Sequence, residues 1–405
     1  MDVAVLTREF PPDVYGGAGV HVEYLTRELA RHVDVTVHRF GSVSARTEGN
    51  PAVVDHRPWK ALAGDAPHLA ALRAVSIDLT MAAEVEGADL VHSHTWYANL
   101  AGHLAKLLYG IPHVATVHSL EPLRPWKAEQ LGGGYAVSSF CERVGLEGAD
   151  AIVAVSAQHG RDILACYPAI DPALVHVIRN GIDTAEYAPD PGTAALARLG
   201  VDPSRPSVLF VGRITRQKGL THLLDAAVDI DPAAQLVLCA SSPDTPEIAA
   251  EIGEKFERVR AARRNVIWVS EMVPRRDLIQ LLSHASVFVC PSVYEPLGIV
   301  NLEAMACETA VVATRVGGIP EVVADGVTGL LVPFEPATGG GAEGLLEPSD
   351  PARFARDLAD RVNELLADLD RAARFGRAGR ERVVDQFSWA AIAEETVALY
   401  ERLLR

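Results

Sequence analysis

Cysteine is scarce in this chain, and the few residues present show no pairing order. Cys141, Cys166, Cys239, Cys290 and Cys307 are odd in number and widely spaced, which excludes a disulfide framework and gives no metal-ligand spacing. They read as small core residues of a protein kept in a reducing compartment. Long apolar runs are missing too, since no window approaches the roughly 18 residues of a membrane span. The amino terminus lacks the basic region and apolar stretch of a signal peptide and opens at once on a strand-like run, Val3 to Leu6. The expected location is therefore the cytoplasm, with no membrane partner. Positive charge is also in deficit: 37 Lys and Arg stand against 53 Asp and Glu, a net −16. Such a surface repels phosphate backbones and anionic membranes, so no nucleic acid partner is expected. A phosphate-bearing small ligand is still allowed, because remote surface charge is screened within about 10 Å.

What remains is an ordinary globular composition, 49% apolar and 22% charged over 405 residues. That length suits two domains of roughly 150 to 200 residues each. Short β-branched runs alternate with helical stretches, the pattern of an α/β fold with a parallel sheet covered on both faces. In the first half the strand candidates are Val3–Thr7, Val35–Phe40, Leu90–His94, His113–His118, Ala151–Ser156 and His176–Ile182. A stretch rich in Pro, Asp and Gly, Ala188 to Pro206, interrupts the rhythm as a linker would. A second series follows: Ser207–Ile214, Gln235–Ala240, Asn265–Val269, Val287–Cys290, Ala310–Thr314 and Gly329–Val332. Residues 338 to 350, with Gly339-Gly340-Gly341, read as a flexible loop, and three helical segments, broken near Phe387-Ser388-Trp389, finish the chain. The expected architecture is two Rossmann-like domains, 1–185 and 186–387, facing each other across a cleft. Ligands of such sheets bind beyond the carboxyl ends of the strands.

Chemistry-bearing residues gather at those ends. The first strand runs into a loop containing Gly16-Gly17-Ala18-Gly19 and then a helix, offering backbone N–H groups and a positive dipole to an anion. It is not a dinucleotide fingerprint, because the G-x-G-x-x-G spacing and the later acidic residue are absent. Gly212-Arg213-Ile214-Thr215-Arg216-Gln217-Lys218-Gly219 places three cations between two glycines where a strand ends, suited to a diphosphate. In Pro291 to Glu303, Glu295 follows a strand and Glu303 lies about two helical turns on. The N–H groups of Gly298, Ile299 and Val300 between them suit a sugar or phosphate oxygen, and the two carboxylates are expected to meet different parts of one ligand. His92 and His94 read as side chains on opposite faces of a strand, a poor metal pair, and no metal is indicated. The D-x-D matches Asp229-Ile230-Asp231 and Asp368-Leu369-Asp370 read as caps and turns.

Together these stretches resemble the retaining, metal-independent glycosyltransferases of the GT-B fold, and within them the bacterial glycogen-synthase-like group that uses ADP-glucose. The resemblance covers nearly the whole chain and rests on Gly16-Gly17, His118, Gly212-Arg213, Lys218-Gly219, Glu295 and Glu303. It implies that Arg213 and Lys218 bind the donor diphosphate and stabilise the leaving nucleotide, and that Glu303 holds the ribose. Glu295 and the amides after Pro296 would hold the donor glucose, with His118 near its reacting carbon. Configuration would be retained without a side-chain nucleophile. The last helix, with the stretch 388–405, would return to the first domain. Longer members carry a lysine where this chain has Tyr15, and the shorter length points to the group's smaller branch. The acceptor implied there is glucose 1-phosphate, giving α-maltose 1-phosphate.

The acceptor residues expected are Arg124 and Lys127 for phosphate, with Trp126, Trp96 and Tyr97 as surfaces for a sugar ring. Elongation of an α-1,4-glucan, another nucleotide-sugar transfer, an epimerase of the same shape and a silent glucan-binding protein stay open on these residues. So does a homodimer.

Overall fold

A computed structural model of the chain describes residues 1–14, 16–41, 46–124, 126–128, 132–241, 243–337 and 347–405. Tyr15 and the glycine triplet 339–341 lie outside the described residues. Two compact units emerge, one of Met1–Gly181 with Trp389–Arg405 and the other of Ile182–Ser388.

Among the described residues, the first unit holds eight strands: β1 (Asp2–Thr7), β2 (Asp34–Phe40), β3 (Arg46–Thr47), β4 (Ala52–His56), β5 (Leu90–His94), β6 (His113–Val117), β7 (Ala151–Ala154) and β8 (Val175–Val177). Their order is β3-β4-β2-β1-β5-β6-β7-β8. All neighbours are parallel except β3 with β4. β1 lies between β2 and β5, with Val3 opposite both Val35 and Leu90, so the winding reverses there and opens a crevice at the carboxyl ends. β5, β6 and β7 are buried at every position, as continuous apolar runs require when helices cover both faces.

The helix Trp389–Leu403 belongs to this first unit and packs beside the helix Gly17–Leu29. Trp389 stacks on Tyr24 with centroids 6.0 Å apart at 8°. Tyr400, fully buried, reaches His92 Nδ1 at 2.5 Å. Leu399 and Tyr400 join Val3, Val5, Leu25 and Leu29 in one core cluster, each such side chain contributing about 1.5–3 kcal/mol by leaving water.

The second unit holds β9 (Ser207–Arg213), β10 (Gln235–Ser241), β11 (Val266–Val269), β12 (Val287–Cys290), β13 (Val311–Thr314) and β14 (Gly329–Val332). They run parallel in the order β11-β10-β9-β12-β13-β14. The reversal falls at β9, between β10 and β12. Asp368 starts a helix by accepting the Arg371 N–H, and Asp231 accepts the Ala233 N–H, so both D-x-D stretches include a residue engaged in a cap or turn.

Candidate active site

In the second unit the crevice at β9 and β12 gathers most of the expected donor residues. β9 ends in Arg213, and a short turn, Arg216–Lys218, follows. Thr215 caps it by accepting the Lys218 N–H at 3.3 Å. Gly219 then takes φ +65°, and a Cβ there would meet the Pro291 carbonyl oxygen at 1.9 Å. Only glycine lets this loop lie so close against the one that follows β12. The Val293 N–H closes the contact by donating to the Gln217 carbonyl at 3.0 Å. Across that seam Lys218 Nζ donates to Glu295 Oε2 at 2.6 Å, and Ser292 Oγ donates to the same oxygen at 3.3 Å. Arg213 Nη1 meets Asp244 Oδ1 at 3.2 Å.

Gly298, at φ +93°, leads into the helix Ile299–Ala306, placing Ile299 and Val300 in its first turn. Glu303 lies one turn further, 9% exposed, and accepts from Tyr187 OH at 3.1 Å. Burial pushes its carboxyl up to about 7, against the opposing effect of the Tyr187 hydrogen bond. Glu295 and Glu303 thus have different partners, Lys218 for one and Tyr187 for the other.

The first unit places His118 directly after β6, beside His94 at the end of β5 and His21 on the helix Gly17–Leu29. His94 Nδ1 and His118 Nε2 are 3.1 Å apart. The expectation that His92 and His94 face opposite sides is overturned: their centroids lie 4.3 Å apart. Side chains on a strand repeat every second residue, so positions 92 and 94 share a face. Ser93 alone turns the other way, to Asn99 Oδ1 at 2.9 Å and His113 Nε2 at 2.7 Å. Burial holds His92, His94 and His118 well below the usual imidazole range, aided by their mutual proximity, and lowers His21 to about 4.

Gly16 and Gly17 open the helix of the first unit, so the structure does not gather them with Arg213 and Lys218 in one unit. The Gly16 N–H donates to Glu9 Oε2 at 2.8 Å; the anion at this helix start is one of the chain's own carboxylates. Beyond His118, Arg124 Nη1 donates to Ser119 Oγ at 2.9 Å, and its guanidinium stands 6.0 Å from the centre of the Trp126 ring. Lys127 is half-buried in the same stretch. Tyr97 is half-buried beneath the Arg8 guanidinium, 4.2 Å from the ring centre. Trp96 is a correction: at 4% exposure it packs with Ala74 and Cys141 and stacks on Tyr97 at 3.9 Å. Its ring is committed to the core and leaves no face for a sugar, and Trp126, also 4% exposed, is a second correction on the same ground. His21, Tyr187, Ser292 and Asp244 were not among the expected residues. Each enters through a tertiary contact that no local pattern announces.

Two parallel α/β sheets, each with polar side chains at the carboxyl ends by its winding reversal, define a glycosyltransferase of the GT-B class. The pattern described as Glycosyltransferase Family 4 matches residues 15–186, and that of Glycosyl transferases group 1 matches residues 205–368. Over 406 residues the chain is 56% identical to an alpha-maltose-1-phosphate synthase of Mycolicibacterium smegmatis, covering 100% of both. It is 52% identical to one of Mycobacterium tuberculosis, again over 100% of both. Sucrose-phosphate synthase from Thermosynechococcus elongatus has the same fold, with a TM-score of 0.80, 26% identity and coverage of 100% and 99% of the two chains. The chain belongs to the alpha-maltose-1-phosphate synthase family of glycosyltransferases.

Proposed function

We propose that the chain transfers glucose from ADP-glucose to glucose 1-phosphate with retention of configuration, giving α-maltose 1-phosphate. The observation that carries this reading is the 56% identity over the full length of both chains to a protein of that name. The geometry supports the donor half. Lys218 and Arg213 stand at the strand ends where a diphosphate is favoured, and a fixed cation there stabilises charge developing on the leaving nucleotide. The resemblance gives Glu303 the ribose hydroxyls, and Glu295 with the Gly298–Val300 amides the donor glucose. The resemblance gives His118 a role at the donor glucose, and Arg124, Lys127 and Tyr97 a role at the acceptor.

Attack from the leaving-group face needs no side-chain nucleophile. The proton of the acceptor hydroxyl passes to a departing phosphate oxygen as the new glycosidic bond forms and the old C–O bond breaks. No divalent metal is needed, because Arg213 and Lys218 carry the countercharge. The protein works in the cytoplasm, where both substrates are phosphorylated sugars.

Incubation with ADP-glucose, UDP-glucose and each acceptor, with products identified by mass, tests the assignment. Maltose 1-phosphate formed from ADP-glucose and glucose 1-phosphate, unaffected by chelator, is expected. Failure to form it rejects the assignment, and a strong preference for UDP-glucose rejects the donor.

A further inference from the structure

The structure assigns to His21, His94 and His118 a three-histidine site for a borderline divalent cation such as Zn²⁺, at which the cation blocks the donor sugar and inhibits transfer. The blocking step rests on the proposed role of His118; the binding step stands without it. Each histidine offers one ring nitrogen, and these atoms lie within 4.8 Å of one another. Tetrahedral Zn–N bonds of about 2.0–2.1 Å place ligand nitrogens roughly 3.3 Å apart. His94 Nδ1 and His118 Nε2, at 3.1 Å, already have that spacing. A shift of the His21 ring on the order of 1 Å completes the set.

The proton inventory also favours a cation. Asn180 Oδ1, which only accepts, lies 2.7 Å from His21 Nδ1, so that nitrogen carries the hydrogen and Nε2 presents its lone pair. A ligating histidine has this arrangement, its far N–H anchored to an oxygen. His21 Nε2 is buried without a hydrogen-bond partner among the described residues, and an unmet polar atom costs about 1–3 kcal/mol. His118 is partly exposed and gives an entry path, while Trp389 closes the far side of His21 at 5.2 Å. Three imidazoles suit Zn²⁺ and leave Mg²⁺, which demands oxygen ligands, without a site.

A second group, His38, His56 and Glu84, lies at β2, β4 and the end of the helix Pro67–Ala83, and it is the internal competitor. Calorimetric titration of the full chain with ZnCl₂, with the bound metal counted after gel filtration, separates the two. One equivalent is expected in wild type and in His56→Ala, and none at this site in His94→Ala. Asn180→Ala leaves all three ligands in place and should weaken Zn²⁺ by about 10–100-fold, which keeps the test meaningful if His94→Ala fails to fold. MgCl₂ should give no heat. Absence of Zn²⁺ binding by folded wild type, or binding lost in His56→Ala but kept in His94→Ala and Asn180→Ala, overturns the site. Zn²⁺ bound at the triad with nucleotide release unchanged overturns the inhibition alone.

Discussion

Lys218→Ala separates the chemical role of the loop after β9 from its structural role. The wild-type ammonium lies 2.6 Å from Glu295 Oε2, with side-chain exposures of 22% and 9%. On the proposed role, removing it would withdraw a preorganised cation from the leaving diphosphate, and deletion of one such donor costs about 10²–10³ in kcat, or roughly 2.7–4 kcal/mol. It also strands the Glu295 carboxylate with the Ser292 hydroxyl at 3.3 Å. A fully buried pair broken in this way costs about 3–5 kcal/mol, but Lys218 is partly solvated, which brings the stability loss down to roughly 1–2 kcal/mol. Steady-state nucleotide release gives the first quantity and urea unfolding the second. In Lys218→Ala/Glu295→Gln the orphaned charge is gone, so stability should return while kcat stays low. An unchanged kcat in Lys218→Ala, or a rate that recovers along with stability in the double variant, would refute the reasoning.

Glu303→Ala should raise the donor Michaelis constant with little change in kcat, since ribose contacts alter little as the glycosidic bond breaks; a large fall in kcat at constant affinity would contradict the role. Because burial lifts Glu303 to about 7, the fold binds its proton more tightly than the unfolded chain does. Its stabilising contribution is therefore full below the ordinary carboxyl range and lost as pH rises towards 7; Glu303→Gln should flatten that dependence in denaturation curves. Arg124→Ala and Lys127→Ala should each raise the Michaelis constant for glucose 1-phosphate and spare elongation of a glucan, and equal losses with both acceptors would remove them from phosphate binding. The buried imidazoles carry the opposite sign: with His21 at about 4 and His113 and His159 at about 3, their contribution is present above the usual imidazole value of about 6.5. It is lost as pH falls through that window, so near-ultraviolet dichroism should show acid unfolding there, and an unchanged signal down to pH 4 would count against it.

The strands that the sequence announces most clearly are those whose residues all face core. Leu90–His94 and Val287–Cys290 are legible end to end because no polar alternation dilutes the signal. β4 escaped notice, since its burial alternates and Asp55 and His56 occupy two of its five positions. His176–Ile182 was expected as a long strand, yet pairing stops at Val177. The gathering of Arg213, Lys218, Glu295 and Glu303 at strand ends of one unit was readable from glycine, charge and strand-end position together. Tyr187 meets Glu303 across 116 residues of chain, and His21 meets Asn180 across 159. Such separations are set by topology and leave no mark on local composition. Trp96 was misjudged because an aromatic just past a strand end serves a core and a ligand platform with equal sequence signal.

Tyr400 follows His92 by 308 residues, yet its hydroxyl completes the hydrogen bonding of that buried ring. At about 5–20 residues per second, a ribosome makes Tyr400 roughly 15–60 s after His92. Throughout that interval Val22, Leu25 and Leu29 on the helix Gly17–Leu29 wait for the partner that will share their cluster. The second unit, whose chain is continuous from Ile182 to Ser388, has no such dependence and is free to fold first. The half that starts synthesis is thereby the half that finishes last. During translation its exposed apolar surface, rather than that of the second unit, is the surface that chaperones have to shield.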